Sequence, residues 1–447
     1  MSHYKPYPAY KDSGVEWIGE VPEHWSVVPL KVLAQVANGA TPESGNPAYW
    51  DGDIAWFTPA DLDNDNTTEL TEPRRKITSA GLASCAARLT PAGSVVLSTR
   101  APVGSVGVTC TPSATNQGCR TLVPKSGLPP KLLAETLIAA RAELALRSNG
   151  TTFQELSTDS LASLRLPLAP PAERAAIAAA LDRETTRIDA LIAKKTRFIE
   201  LLKEKRQALI THAVTKGLDP NVKMKDSGVE WIGEVPEHWS IGRLRDFVRT
   251  ISTGPFGTAL GSDDYVSNGV PVINPSHIAE NGCVPDVTVT IDQDKASQLA
   301  FWAMRPGDIV TARRGELGRA AIIDDKQAGW ICGTGSIRIT PNASKIASEY
   351  VHAVLQATYA RRWLELQSVG STMPNLSEKL IGDLPIALPP AIREQQSLLL
   401  RSAEEAACID ALIAKVQRSI VLLKERRSAL ITAAVTGQID LREESWT

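Results

Sequence analysis

Lys11–Ser26 reads KDSGVEWIGEVPEHWS, and Lys225–Ser240 repeats it letter for letter. Identity over the whole box, 214 positions apart, establishes an internal duplication before anything else is read. A second shared block closes each copy: LLKEKRQALITHAVTKGLD at Leu201–Asp219 and LLKERRSALITAAVTGQID at Leu422–Asp440. Upstream of these, IDALIAK occurs at Ile188–Lys194 and again at Ile409–Lys415. A fainter echo, GTTFQELS from Gly150 and GSTMPNLS from Gly370, leads each time to a Pro pair (Pro170–Pro171, Pro389–Pro390). The order is box, variable region, turn, Pro-Pro and helix, and then all of it again. The variable regions have drifted far apart, yet GSVVLSTR from Gly93 still matches GDIVTARR from Gly307.

Each Pro pair is a good helix start, since Pro suits the first turn. Behind the first runs a seam of Leu181, Ile188, Ile192, Ile199, Leu202, Leu209 and Ala213. Behind the second run Ile409, Ile413, Val416, Ile420, Leu423, Leu430 and Ala434. Steps of three, four and seven are the coiled-coil period. Neither helix is apolar all round, so the two are expected to pack on each other and leave faces for partner helices. The variable regions read as mixed α/β. Strand-like runs are Ser94–Ser98, Val103–Thr109, Val270–Ile273 and Gly307–Ala312, and helices are expected near Lys131–Arg147 and Ala347–Leu366. The expected fold class is therefore two α/β (α+β) globular domains joined by two long antiparallel coiled-coil helices, with an internal pseudo-twofold repeat. The expected bounds are 1–165 and 221–383 for the globular domains, 166–220 for the central helix and 384–447 for the C-terminal helix.

The chain has 447 residues, enough for two to four domains, and 43% hydrophobic with 22% charged residues is a globular composition. No apolar run approaches a membrane span, and no secretory leader is read at the N-terminus, so a cytoplasmic protein is expected. The six cysteines form no CxxC pair and the histidines are scattered, which argues against zinc and for reduced thiols. A net charge of -2 hides an uneven distribution. From Arg74 to Ala134 there is no Asp or Glu, while Arg74, Arg75, Lys76, Arg88, Arg100, Arg120, Lys125 and Lys131 all fall there. Such a stretch suits a phosphate backbone.

Two similar heads on a helical spacer would fix the distance between two reading sites, and double-stranded DNA repeats its grooves at a fixed pitch. The heads differ, so a bipartite, asymmetric target is expected. At this point the residues carry a resemblance. The duplicated SGVEWIGEVPEHW box, the STGPFGTALGSDDY and GVPVINPSHI segments and the LPP…IDALIAK…LLKEKRQALITHAV helical ends resemble the specificity (S) subunit of type I restriction–modification systems, over essentially the whole chain. The resemblance implies two target recognition domains on conserved spacer helices and no active site in this chain. It also implies two methyltransferase (M) subunits docked on the helices and restriction (R) subunits beyond them. S-adenosylmethionine, ATP and Mg2+ would sit on those partners, not here.

The motif inventory agrees. There is no GxxxxGK[ST] and no HExxH. Asn274-Pro275-Ser276-His277 falls short of an amino-methyltransferase NPP[YF] motif, and GPFG at Gly254–Gly257 lacks the Lys-Ser/Thr of a nucleotide loop. Asp61-x-Asp63-x-Asp65 with Glu72 imitates a calcium loop, but Asn66 stands where Gly is needed and Pro59 and Pro73 flank it, so a solvated acidic loop is expected. Trp17, Trp25, Trp231 and Trp239, placed identically in the two boxes, suit packing against the helices better than base stacking. Arg74, Arg75 and Lys76 are the candidate phosphate contacts. Arg100, Asn116, Gln117 and Arg120 are candidate base readers, with Arg313, Arg314 and Arg319 as the parallel set in the second head. Arg206 and Arg427 hold equivalent places near the helical seam and are candidate partner contacts. A coiled-coil scaffold with protein- or glycan-binding heads is the alternative, and a self-contained methyltransferase or nuclease is a third reading.

Overall fold

The computed structural model describes residues 4–62, 68–100, 102–148, 155–279, 282–315, 318–367 and 376–442. Asp63, Asp65 and Asn66 of the calcium-like loop, and most of the two turn motifs from Gly150 and Gly370, lie outside these residues. The chain forms two compact units. One contains residues 1–195 and 418–447; the other contains 196–417. The division falls inside both long helices, so each unit owns the start of one helix and the end of the other.

The central helix runs Pro171–Lys216 and the C-terminal helix Ile392–Val435. The first starts on Pro171, as its ring geometry favours, and stops before Gly217 at φ 73°. The second starts two residues after Pro390 and is followed by Gly437 at φ 75°. In the first unit Ile177, Ala180, Leu181 and Ile188 pack with Leu430, Ile431, Ala434 and Val435. In the second unit Leu202 packs with Ile409 and Ile413. Beginning meets end in both units, so the helices pair antiparallel along the seam that the heptad spacing predicts.

Each box folds as a two-stranded ribbon. Tyr10–Asp12 pairs with Glu20–Pro22, and Met224–Asp226 pairs with Glu234–Pro236 in the same register. The turn needs left-handed backbone, which Gly14 and Gly19 supply at φ 67° and 71°, and Gly228 and Gly233 at 67° and 72°. The strand that follows each box (Ser26–Pro29, Ser240–Arg243) pairs antiparallel with the strand preceding each long helix (Arg165–Leu168, Pro385–Leu388). This ties each globular region to the base of its own helix.

The first head holds a five-stranded sheet in the order Ala34–Asn38, Cys119–Pro124, Val95–Ser98, Val106–Thr109, Thr68–Leu70. The helix Pro130–Ala139 covers it, burying Leu133, Ala134 and Leu137 against Val95, Leu97, Val106 and Leu122. A three-stranded sheet (Ser113–Thr115, Trp50–Phe57, Arg75–Ile77) stands beside it. The second head has an antiparallel sheet in the order Val248–Thr253, Ser336–Pro341, Ile309–Ala312, Ala320–Ile322, covered by the helix Ser348–Gln356. A second sheet there is ordered Tyr265–Val266, Thr290–Ile291, Val270–Ile273, Ile331–Cys332. Each helix expected as one piece is two: Pro130–Ala139 with Arg141–Leu146, and Ser348–Gln356 with Thr358–Gln367. The faint GSVVLSTR/GDIVTARR match is a shared hairpin. Gly93 and Gly307 enter it at φ 79° and 88°, and Val95–Ser98 and Ile309–Ala312 are its first strands.

Candidate nucleic-acid interface

In the first head the loop Asn116–Gly118 is the meeting point. Thr99 N–H donates to the Gly118 carbonyl at 2.8 Å, which seats the Arg100 turn beside that loop. Asn116 Oδ1 accepts from Gly118 N at 3.0 Å, folding the loop on itself. Gln117 Oε1 accepts from the Thr41 hydroxyl. Arg120 donates through Nη1 to the Gln117 and Cys119 carbonyls at 3.0 and 3.1 Å, and through Nε to Thr158 Oγ1 at 3.1 Å. Arg100 pairs with Glu155 at 3.3 Å and is half exposed. A Cβ on Gly118 would sit 3.0 Å from Pro59 Cγ, so the turn Thr58–Asp61 is pressed against this loop. Asp61 closes that turn by accepting from Thr58 N and Oγ1 at 2.8 and 2.7 Å, and it also accepts from Arg74 N at 3.0 Å. Asp61 is thus a turn-closing residue.

The fold therefore brings Arg74, Arg100, Asn116, Gln117 and Arg120 to one end of the head. The Arg74 side chain is 74% exposed and, among the described residues, lies 3.8 Å from Asp61. Arg75 and Lys76 run away from it along the strand Arg75–Ile77. Arg75 lies 3.6 Å over the Trp50 ring, which is itself edge-on to Trp56. Lys76 reaches Glu72 at 3.6 Å. Arg75 and Lys76 point to opposite sides of that strand, and Arg74 precedes it, so the three consecutive cations do not form one cluster.

In the second head Arg313 and Arg314 stand at the end of the equivalent hairpin strand. Arg313 donates from Nε to the Leu376 carbonyl at 3.0 Å and lies 4.7 Å over the exposed ring of Phe256 in the GPFG turn. Burial, and then the neighbouring Arg314, hold its pKa below the usual guanidinium range. Arg314 is exposed. Arg319, at the start of the return strand, accepts at its carbonyl from Ala312 N at 2.9 Å and lines a cleft with Lys203, Arg206 and Arg361. One tie is repeated in both heads: Leu156 N–H donates to the Thr99 carbonyl and Leu376 N–H to the Arg313 carbonyl, each at 2.9 Å. Asn274–His277 is a turn whose His277 is buried and lies 3.0 Å from the Val272 carbonyl.

Arg206 and Arg427 have defined partners. Arg206 Nε lies 3.0 Å from Asp410, and Arg427 Nε lies 3.0 Å from Asp189. Each pair joins the two long helices within one unit, and the pairs are copies of each other under the 221-residue offset.

Two repeated features escape the sequence reading. The first is Glu173 and Glu394, also 221 apart. Glu173 accepts from His24 Nε2 at 2.8 Å, Trp25 Nε1 at 3.1 Å, Arg442 Nη1 at 2.9 Å and Tyr7 Oη at 3.4 Å. Glu394 accepts from His238 Nε2 at 2.9 Å and Trp239 Nε1 at 3.0 Å. Each duplicated HW pair therefore plugs the first turn of its own long helix, where a carboxylate also suits the helix dipole. Trp25 and Trp239 are buried, whereas Trp231 is 40% exposed. The second feature is a Gly–Arg contact. A Cβ on Gly104 would meet Arg141 Cγ at 3.0 Å, and one on Gly318 would meet Arg361 Cγ at 2.8 Å. Both glycines have positive φ, 89° and 83°, and both end the reading hairpin. An arginine thus lies across that turn in each head.

The sequence model of the type I restriction modification DNA specificity domain matches twice, at residues 22–201 and 236–399. The chain belongs to that family. One match falls within each of the two copies read from the repeats. It is similar to the type I restriction enzyme MjaIX specificity subunit of Methanocaldococcus jannaschii, with 26% identity over 95% of this chain and 96% of that one. It is also similar to the Escherichia coli EcoBI specificity subunit, with 24% identity over 65% of this chain and 62% of that one. A solved chain described as "Structural basis underlying complex assembly and conformational transition of the type I R-M system" shares the fold, with a TM-score of 0.66, 17% identity, and coverage of 93% of this chain and 98% of that one. As a family member the chain is a DNA-specificity subunit and not a catalytic one, and the scaffold alternative falls away.

Proposed function

We propose that the two globular regions, 1–165 and 221–383, read the two halves of a bipartite, asymmetric DNA site, with the helices 166–220 and 384–447 setting the gap. The observation that carries this reading is the repeated hairpin. Two heads with the same hairpin and the same Leu156/Leu376 tie present different side chains at its end: Thr99 and Arg100 in one, Arg313 and Arg314 in the other. A shared frame with unlike tips is what reading two different sequences requires. Arg100, Asn116, Gln117 and Arg120 serve as base readers in the first head and Arg313, Arg314 and Arg319 in the second. Arg74, Arg75 and Lys76 hold phosphate, with Arg74 the most available of the three.

The long helices dock two methyltransferase subunits, with Arg206 and Arg427 fixing the helix pair on which they sit, and restriction subunits join from there. S-adenosylmethionine, ATP and Mg2+ belong to those partners. Among the described residues no helix is long and apolar enough to cross a membrane, and a cytoplasmic site of action follows from the substrate. The test is selection from a random duplex library by the chain co-purified with its methyltransferase subunit. A two-part motif with a fixed gap is expected, and a single contiguous motif would overturn the reading. Replacing Arg74, Arg75 and Lys76 together by Ala should weaken binding evenly across sequences and flatten its salt dependence. A changed sequence preference would move them to the base-reading set.

A further inference from the structure

The second unit contains a polar cleft of about 710 Å³ that the recognition hairpin does not fill. Its walls are the long helices (Lys203, Arg206, Gln207, Asp410), the helices Ser348–Gln356 and Thr358–Gln367 (Gln356, Arg361), and the head (Ser276, Arg319). Four cations line it, and among the described lining residues the one carboxylate is Asp410, which Arg206 engages, while Arg319 has an interaction of its own. Lys203 is exposed and makes no ion pair among the described residues. Arg361 is pinned across Gly318, and its Nε is buried without a hydrogen-bond partner. Like charges gathered in one concavity repel, and a buried guanidinium N–H left unmade is costly. Both costs vanish when an anion with several acceptor oxygens enters, and guanidinium forks suit phosphate oxygens. The volume is in the range of clefts that hold a ligand.

The first unit lacks the full set. At the position following the hairpin glycine it has Ser105, buried, where the second unit has Arg319. The feature is thus particular to one half. Arg319 connects it to the DNA-reading hairpin, being the residue between Gly318 and the strand Ala320–Ile322.

We propose that this cleft is a phosphate-binding site that grips the duplex backbone next to the second half-site, with Lys203 and Arg361 as contacts beyond the reading hairpin. The proposal rests on the DNA-reading assignment above and deepens it: the second half would have a sequence-independent grip of its own, as Arg74, Arg75 and Lys76 give the first.

The experiment uses the full chain and a duplex of arbitrary sequence, with affinity measured across a salt series. Lys203→Glu is compared with Lys205→Glu, whose position is also exposed but turns away from the cleft along the helix. Lys203→Ala and Arg361→Gln complete the set. Each lost phosphate contact should lower the slope of log K against log salt by about 0.9. Lys203→Ala should therefore flatten the slope by about that amount, and Lys203→Glu should weaken binding more than Lys205→Glu. Equal behaviour of the two Glu variants, with wild-type binding intact, would overturn the cleft alone. No duplex binding by the wild type in any form would instead bring down the DNA reading beneath it. Inorganic tripolyphosphate is the second arm. If it binds the wild type and not Lys203→Glu while the duplex salt slope is the same in both, the site takes a free oligophosphate and the backbone assignment is wrong.

Discussion

The first unit closes its box on Glu173 with four donors, and the second closes the same box on Glu394 with two. The box sequences are identical, so the difference comes from what lies around them. In the first unit the segments Lys5–Tyr7 and Gln438–Arg442 meet beside the box. Asp440 N–H donates to the Lys5 carbonyl at 2.8 Å, Gln438 Nε2 donates to the Glu20 carbonyl at 2.7 Å, and Arg442 and Tyr7 reach Glu173 from these two segments. In the second unit the continuous segment from Gly217 to Met224 occupies the corresponding stretch and supplies no further donor to Glu394. One motif can therefore be held with unequal strength by unequal neighbours.

The largest test is removal of the shared anchor. Trp25→Ala and Trp239→Ala should each cost about 3–5 kcal/mol, localised to their own unit. Hydrogen exchange of the two helix starts would report it, and loss of protection in the wrong unit would deny the comparison. Next, Glu173→Ala leaves more donors stranded than Glu394→Ala, so about 3 kcal/mol against about 1 kcal/mol is expected in denaturant titrations. Equal costs would mean that Tyr7 and Arg442 add nothing.

The interhelix pairs sharpen the contrast. The Arg427 side chain is 8% exposed and that of Arg206 27%. Arg427→Ala should destabilise by about 2 kcal/mol and Arg206→Ala by less than about 1 kcal/mol, the former insensitive to salt.

The smallest effect concerns pH. Glu135, on the sheet-covering helix of the first unit, is buried with Oε1 unpartnered, and burial pushes its pKa up to about 7. The equivalent helix has Ala353 at the same distance from its start. A carboxyl raised in the folded state binds its proton more tightly than in the unfolded chain. Stability is then full below the unfolded pKa near 4.5 and is lost as pH rises towards 7. Glu135→Gln should remove that loss and raise stability by about 1–2 kcal/mol at pH 8, with little change at pH 4. A pH-independent effect would place the Glu135 proton elsewhere.

Much of this architecture was readable in the chain because identical letters need no inference. The boxes, the helix ends and the seam through Leu181, Ile188 and Ile409 follow from repetition and from heptad spacing. The correspondence at Gly93 and Gly307 was readable as a match of letters, whereas the hairpin it marks and the positive φ of its glycines came from the structure. The interface was less legible, for physical reasons. Arg75 is one letter of a three-letter basic run, but its stack on Trp50 depends on two strands pairing across the sheet. Arg141 and Arg361 lie in helices whose sequences have diverged, and only their glycine partners share a backbone conformation. Glu173 and Glu394 could have been found, since they share the offset of IDALIAK, but neighbouring Pro pairs are out of step by two residues and disguise it. The sheet-covering helices were read as single because nothing short-range marks the breaks at Ala140 and Ala357.

The reciprocal salt links, Arg206 to Asp410 and Arg427 to Asp189, carry a consequence for alignment. Leucine and isoleucine at three- and four-residue steps would be almost as content after one helix slipped past the other by a heptad. The charged partners would not, since such a slip strands two cations and two carboxylates at once. Because each compact unit holds its own copy of this latch, a misaligned pairing is penalised twice, and the gap the protein would measure along a duplex is protected against error by two residues per helix.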